Sequence, residues 1–404
     1  MPLSRYQHTG EIGTDVRYKK EEETMMKSHA RLTSLMLMLS FSCGYAAAES
    51  DVPSATDDNN GAKGARPVQV FILMGQSNML GFGKISGDDD GSLEYAVKHK
   101  KLYPYLKDES QPLEWRERHD VRNVHVQGSG LADGKILKNE WLSVTGRSIG
   151  PELGIGCCLG DFIDDAPVLL LKSCIGNRAL GWDLLPPGSE GFEFTDKQGQ
   201  TWVHPGYKGS PQRWLKGTVP EPIQWYAGMQ YDGDVQRAKE VLSNFATYMP
   251  HAPSRLGESP FEVAGFFWWQ GDRDSRSEAL SSRYEQNLVH LIRTLRKEFH
   301  SPDAKFVCAS LGQTQKGDAT GGGKILNAML AVDGSSGKYP EFDGNVASIY
   351  SYPLSKGGSS GSHYNKHAET YMNVGEAMGQ AMVRLLQSSA TDEKNNVQNT
   401  STVN

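Results

Sequence analysis

Gly75-Gln76-Ser77-Asn78-Met79 follows directly on an apolar run, and a serine in a turn at that point exposes its hydroxyl. A serine hydroxyl needs a base before it can act as a nucleophile. Histidine is the natural one, and the late stretch Gly361-Ser362-His363-Tyr364-Asn365-Lys366-His367 offers two. Gln270, within Phe266-Phe267-Trp268-Trp269-Gln270-Gly271-Asp272-Arg273-Asp274, carries an amide able to donate to an oxyanion. Gly176, in Ser173-Cys174-Ile175-Gly176-Asn177-Arg178, lets a backbone N–H approach a ligand closely. Each residue also has a plainer reading: Ser77 as a helix cap, Gly176 as an ordinary turn, Gln270 in a routine hydrogen bond, the histidines as loop residues. A phosphate-cradling loop does not fit, because neither a Walker lysine nor G-x-G-x-x-G follows the first run. His363 and His367 are four apart and would share a helix face. The zincin pattern, however, puts Glu where Tyr364 stands, and a third metal ligand is unassigned.

These residues depend on strands to bring them together. Apolar runs at Val68 to Met74, Ala166 to Ser173, Glu262 to Trp269, Lys305 to Ser310 and Val346 to Tyr350 read as five buried strands. Between them, Leu280, Tyr284, Leu288, Leu291, Leu295 and Phe299 form one helical stripe, and Met372, Gly375, Met378, Ala381, Met382 and Leu385 another. Pro151 to Phe162 and Val235 to Tyr248 are further helix candidates. Alternation of this kind predicts a parallel sheet with helices on both faces, whose ligands sit at the carboxyl ends of the strands. Ser77, Gly176 and Gln270 all follow strand ends, and His363 follows the fifth strand. Two stretches without clear period, near 84–147 and 184–225, read as loop insertions in one domain. Trp182, Trp202, Trp214 and Trp225 lie in or beside the second, where they either stack on sugar rings or anchor long loops.

With 42 basic and 48 acidic residues in 404, the net charge is -6, so nothing favours a phosphate backbone or an anionic membrane. Nucleic acid is excluded as a partner, and stable membrane insertion is not expected. Residues 1–48 read as a leader and signal peptide. Lys27, His29 and Arg31 precede the short apolar run Leu32 to Leu39, and Ala46-Ala47-Ala48 offers a cleavage site near Ala48. Export to the periplasm or medium follows. A lipoprotein through Cys43 is disfavoured by the large Phe41 before it. Residues 49–65 read as a disordered lead, 66–387 as the folded domain and 388–404 as a flexible tail. Cys157, Cys158, Cys174 and Cys308 match no zinc spacing. A Cys158–Cys174 disulfide and buried free thiols are both compatible with the sequence.

In chain order, Gly-Gln-Ser-Asn-Met after the first strand, Gly after the second, Gln-Gly-Asp-x-Asp after the third and a late His before the last helix form a set. That set resembles the SGNH (GDSL-like) hydrolase superfamily and, within it, the sialate O-acetylesterase and acetyl-xylan esterase branch. Gly146-Arg147-Ser148-Ile149-Gly150-Pro151-Glu152-Leu153-Gly154 is similar to the segment leading into that branch's second helix, and the resemblance covers most of 68–387. It implies a three-layer, flavodoxin-like α/β fold with a five-stranded parallel sheet in the order 2-1-3-4-5. Ser77 is then the nucleophile and His363 the general base, with His367 the second choice because it begins the helix. The Ser77 and Gly176 N–H groups and the Gln270 side chain form the oxyanion hole. Gln76, Asn78, Asn177, Trp182 and Asp272 are placed at the substrate. One departure stands out: the family's acid, three residues before the histidine, is replaced by Ser360. The orienting group is therefore open among Asp343, Asp272, Asp274, Glu369 and a backbone carbonyl. The implied activity is that of a secreted serine esterase removing O-acetyl groups from xylan or sialate-type carbohydrate, with no cofactor and no metal. A non-catalytic sugar-binding protein on this fold and a metal-dependent hydrolase using His363 and His367 are the alternatives.

Overall fold

The first apolar run sends its side chains alternately into two separate cores. Val68, Val70, Ile72 and Met74 join one, Phe71 and Leu73 the other, and the whole strand is buried. Successive side chains of a strand point to opposite faces, so a run apolar at every position needs cover on both sides. The Phe266 to Trp269 run divides likewise, with Phe266 and Trp268 on one face and Phe267 and Trp269 on the other.

The computed structural model describes residues 66–401 apart from 109–110, 112–113, 251 and 253–258, and side chains apart from those of 360–362 and 389–401. The leader and signal peptide of 1–48 and the lead of 49–65 lie outside the described residues. The strands are β1 (Val68–Gly75), β2 (Gly83–Lys84), β3 (Arg118–Gln127), β4 (Lys135–Leu142), β5 (Ser148–Ile149), β6 (Val168–Ser173), β7 (Phe192–Thr195), β8 (Thr201–His204), β9 (Trp214–Leu215), β10 (Phe261–Trp269), β11 (Lys305–Ala309) and β12 (Val346–Ile349). The helices are α1 (Ser77–Leu80), α2 (Leu93–Lys98), α3 (Glu152–Phe162), α4 (Met229–Ser243), α5 (Phe245–Tyr248), α6 (Asp272–Ser275), α7 (Glu278–Ser282), α8 (Tyr284–Glu298), α9 (Gly321–Val332) and α10 (Ala368–Ser401).

The main sheet runs β12-β11-β10-β1-β6-β3-β4. Its five expected strands stand in the order 2-1-3-4-5 and pair in parallel. Apolar side chains of α4, α8 and α9 fill the core on one face, and those of α3 and α10 fill the core on the other. This is the three-layer fold that the resemblance implies.

Four readings need correction. The sheet has seven strands, not five, because the first insertion is not simply loop: β3 joins parallel to β6, and β4 returns antiparallel along β3. These strands escape a search for apolar runs because β3 carries Arg118, His119, Asp120 and Arg122, and β4 is half solvent-facing at the sheet's edge. The second insertion holds the antiparallel sheet β7-β8-β9. The helix expected over 235–248 starts earlier, at Met229, and is interrupted at Asn244. At the far end, α10 continues to Ser401, through much of the polar stretch read as tail.

Glycines are required where strands end at the site. Gly75 has φ +145°, and a Cβ there would stand 2.5 Å from the Trp269 carbonyl oxygen of the neighbouring strand. Gly271 has φ +138° and would meet Ile325 Cγ2 at 2.7 Å. Both backbone conformations disfavour an L side chain. Gly75→Ala is therefore expected to destabilise the protein by more than about 1 kcal/mol, read as a lowered denaturant midpoint at unchanged slope. A midpoint equal to wild type would refute this account of the strand end.

Candidate active site

β1 stops at Gly75, and the chain turns through Gln76, whose N–H donates to the Trp269 carbonyl at 3.2 Å. Gln76 is extended and buried and serves as the N-cap residue of α1. Ser77 is the first residue of that helix and is half-buried. Gly176, on the loop after β6, faces it: a Cβ built there would lie 3.6 Å from Ser77 Cβ. Asn177 beside it is exposed and has φ 55°. The serine and the glycine are thus brought together at the carboxyl edge of the sheet, as their positions after strands predict.

Gln270 directly follows β10 and is fully buried. Its amide nitrogen faces three acceptors: Asp274 Oδ2 at 2.6 Å, the Arg178 carbonyl at 2.8 Å and Gln76 Oε1 at 3.1 Å. Its Oε1 accepts from the Tyr284 hydroxyl at 2.8 Å. Asp274 also accepts from the N–H groups of Leu180 and Gly181, each at 2.8 Å, while burial pushes its carboxyl up to about 6. Gln76 in turn accepts from the Arg273 N–H at 3.2 Å and donates a long bond of 3.4 Å to Ser77 Oγ. Sequence reasoning brought Gln270 to this edge but missed Tyr284 and the saturation of the Gln270 amide. Tyr284 had been legible only as a member of an apolar stripe.

The histidine arrives on a turn over Ser360–Lys366 that packs against α1. His363, Tyr364, Asn365 and Lys366 all have φ between 50° and 59°, a left-handed run costing roughly 1–2 kcal/mol per residue. Tyr364 holds it in place. Its ring is buried against Trp269 and Tyr371, and its hydroxyl accepts from Asn78 Nδ2 at 3.0 Å and from the Gly312 N–H at 3.2 Å. The neighbour of Ser77 is therefore bonded to the neighbour of His363. The imidazole stacks on Phe82 at 4.0 Å between centroids, just past the end of α1. Burial holds His363 below the usual histidine range, Asp272 pulls it back up, and Lys366 and Arg276 push it down.

The four candidate acids separate. Asp272 is the one whose charge acts on the His363 ring, and it is also paired with Arg276 at 2.5 Å. Asp274 is committed to Gln270. Asp343 is exposed and precedes β12, at the amino end of that strand. Glu369 is paired with Lys100 at 2.6 Å beside His367. The shared helix face proposed for His363 and His367 does not form, because the left-handed turn separates them and α10 begins only at Ala368. His367 instead lies with Asp90 and Glu369, their ligand atoms within 4.8 Å. The Lys100 ammonium binds both carboxylates of that group at 2.6 Å and already supplies its positive charge.

Trp182 is corrected as well: it is 7% exposed within a small apolar cluster, so it anchors its loop and offers no open face. Trp225 packs against the same cluster with the Arg178 guanidinium 5.1 Å from its ring centroid. Cys157, Cys158, Cys174 and Cys308 are free thiols, so the Cys158–Cys174 disulfide is not formed.

Among the described residues, no helix is long and apolar enough to cross a membrane. No curated protein matches the chain. Three solved structures are similar in outline. A protein from Arabidopsis thaliana is 16% identical, with a TM-score of 0.43 over 79% of this chain and 98% of its own. A carbohydrate acetylesterase from Xanthomonas citri is 14% identical, with a TM-score of 0.43 over 77% and 54%. NanS is 17% identical, with a TM-score of 0.34 over 70% and 77%. Residues 209–384, which include Gln270, Asp272 and His363 but not Ser77 or Gly176, match the family model described as carbohydrate esterase, sialic acid-specific acetylesterase. Those residues carry the pattern of the carbohydrate esterases that the motifs imply, and by that match the protein is a carboxylic ester hydrolase.

Proposed function

We propose that the protein is an exported serine esterase that removes O-acetyl groups from carbohydrate through an acyl-Ser77 intermediate. The observation that carries this reading is the Asn78–Tyr364 hydrogen bond, which ties the Ser77 turn to the His363 turn beside Gly176. Ser77 Oγ attacks the acetyl carbonyl carbon as its proton passes to His363. The oxyanion is met by the Ser77 and Gly176 N–H groups and an amide of the Gln76–Gln270 pair. Collapse breaks the carbon–oxygen bond to the sugar, whose oxygen takes the proton from His363. Water then attacks the acyl carbon through the same base, releasing acetate and restoring Ser77. Asp272 supports the imidazolium electrostatically in place of the missing acid at Ser360. Asn177 and Arg178 follow Gly176 in the chain, and Trp225 lies against the Arg178 guanidinium, so these three are the groups offered to the sugar. The basic start, short apolar run and Ala46-Ala47-Ala48 of the leader support export.

Ser77→Ala is expected to abolish hydrolysis of an aryl acetate and of acetylated sugar while leaving the far-UV circular dichroism unchanged. Full turnover in that variant would dismiss the nucleophile. The base must be neutral to act, so activity is present above the His363 pKa and lost as pH falls through it. Burial lowers that pKa, which puts the acid limb of kcat/KM below about 6.5, the ordinary histidine value. Asp272→Asn removes the charge that raises it and should move the limb to still lower pH. A limb that stays in place or moves upward would exclude Asp272 as the supporting acid.

A further inference from the structure

Gln270 occupies the place where a side-chain oxyanion donor is expected, yet its nitrogen has two hydrogens and already faces three acceptors. Its orientation is forced. The Arg178 carbonyl cannot donate, so the nitrogen lies on that side, and Oε1 meets the Tyr284 hydroxyl. The same reasoning fixes Gln76. The Arg273 N–H cannot accept, so Oε1 of Gln76 faces it and also takes the third bond from Gln270. Gln76 Nε2 is thereby turned toward Ser77 Oγ, 3.4 Å away. Gln76 is 1% exposed, so a water shell competes little for its amide.

We infer that Gln76 is the side chain that donates to the developing oxyanion, and that Gln270 is a positioning residue which holds it there. One hydrogen of Gln76 Nε2 already lies against Oγ, and the other meets no acceptor among the described residues. When Oγ bonds to the carbonyl carbon, the new oxyanion forms one bond further out, within reach of the same amide. Gln270 and the Arg273 N–H clamp the far end of that amide, so it does not reorganise during the reaction. The inference rests on the reading of Ser77 as nucleophile.

Steady-state kinetics on an aryl acetate test it with Gln76→Glu, Gln76→Met, Gln270→Met and the Gln76→Met/Gln270→Met double variant, each checked for folding by thermal melting. Gln76→Glu keeps the shape and both accepted bonds, and Gln76→Met adds no charge. Both should lose about 100 to 1,000-fold in kcat with KM little changed. Gln270→Met should also lose kcat, but the double variant should be no slower than Gln76→Met alone, because the two residues act as one unit. A folded Gln76→Met within about tenfold of wild type, or a Gln270 effect undiminished in the double variant, overturns the assignment. Should Gln270→Met not fold, the two Gln76 variants decide alone. Labelling by a fluorophosphonate, located by mass spectrometry, separates the two readings. A wild type labelled elsewhere than Ser77 removes the nucleophile and this inference with it, whereas Ser77 labelling with full turnover in the Gln76 variants overturns the inference alone.

Discussion

A fully buried amide must find a partner for each hydrogen and lone pair, and the Gln270 amide finds them on four different segments. Gln76 lies past β1, Arg178 past β6, Asp274 in α6 and Tyr284 at the start of α8. None of these is adjacent in sequence to the others, yet one planar group sets their mutual distances. Leaving one buried partner unsatisfied costs on the order of 1–3 kcal/mol, so the segments that carry Ser77 and Gly176 settle into one arrangement. Asp274 shows the strength of this demand. It remains at full burial, with its carboxyl pushed up to about 6, because two backbone N–H groups and the Gln270 amide meet it there.

The opposite rim is organised by a different balance. A left-handed run of four residues without glycine is unfavourable alone, and strain of this kind persists only where surrounding structure over-determines it. Tyr364 supplies that determination through burial between Trp269 and Tyr371 and through its hydroxyl at Asn78 and Gly312. The imidazole is thus presented by an anchored turn, in contact with the Phe82 ring that ends the serine's own turn.

The central strands were legible because a doubly buried strand is an unbroken apolar run, and their ends located Ser77, Gly176 and Gln270 by topology alone. β3 and β4 were not legible as strands, since charged residues interrupt their alternation and the sheet edge leaves one side wet. The bonding of Gln270 left little trace either. It depends on a carbonyl, which has no sequence signature, and on Tyr284, whose ring satisfies an apolar stripe while its hydroxyl does polar work. Asp272 was visible as a residue at the substrate and as one of several acids, but not as the acid beside His363, because the spacing rule that identifies an orienting acid searches near the histidine. Asp272 instead sits just past β10, in the strand-end motif after Gln270.

The two added strands have a mechanical consequence. β3 and β4 extend the sheet beyond β6, placing β4 three strand spacings, about 14 Å, from β1. The loop joining them touches Arg178 through Ser129 Oγ and approaches Trp225 at Gly130, but makes no bond to Gln270 or Gln76. Lengthening or reshaping that hairpin changes what lies around the serine without loosening what aligns it. The hairpin can thus take other lengths and shapes while the strand ends keep the spacing that their shared amide sets.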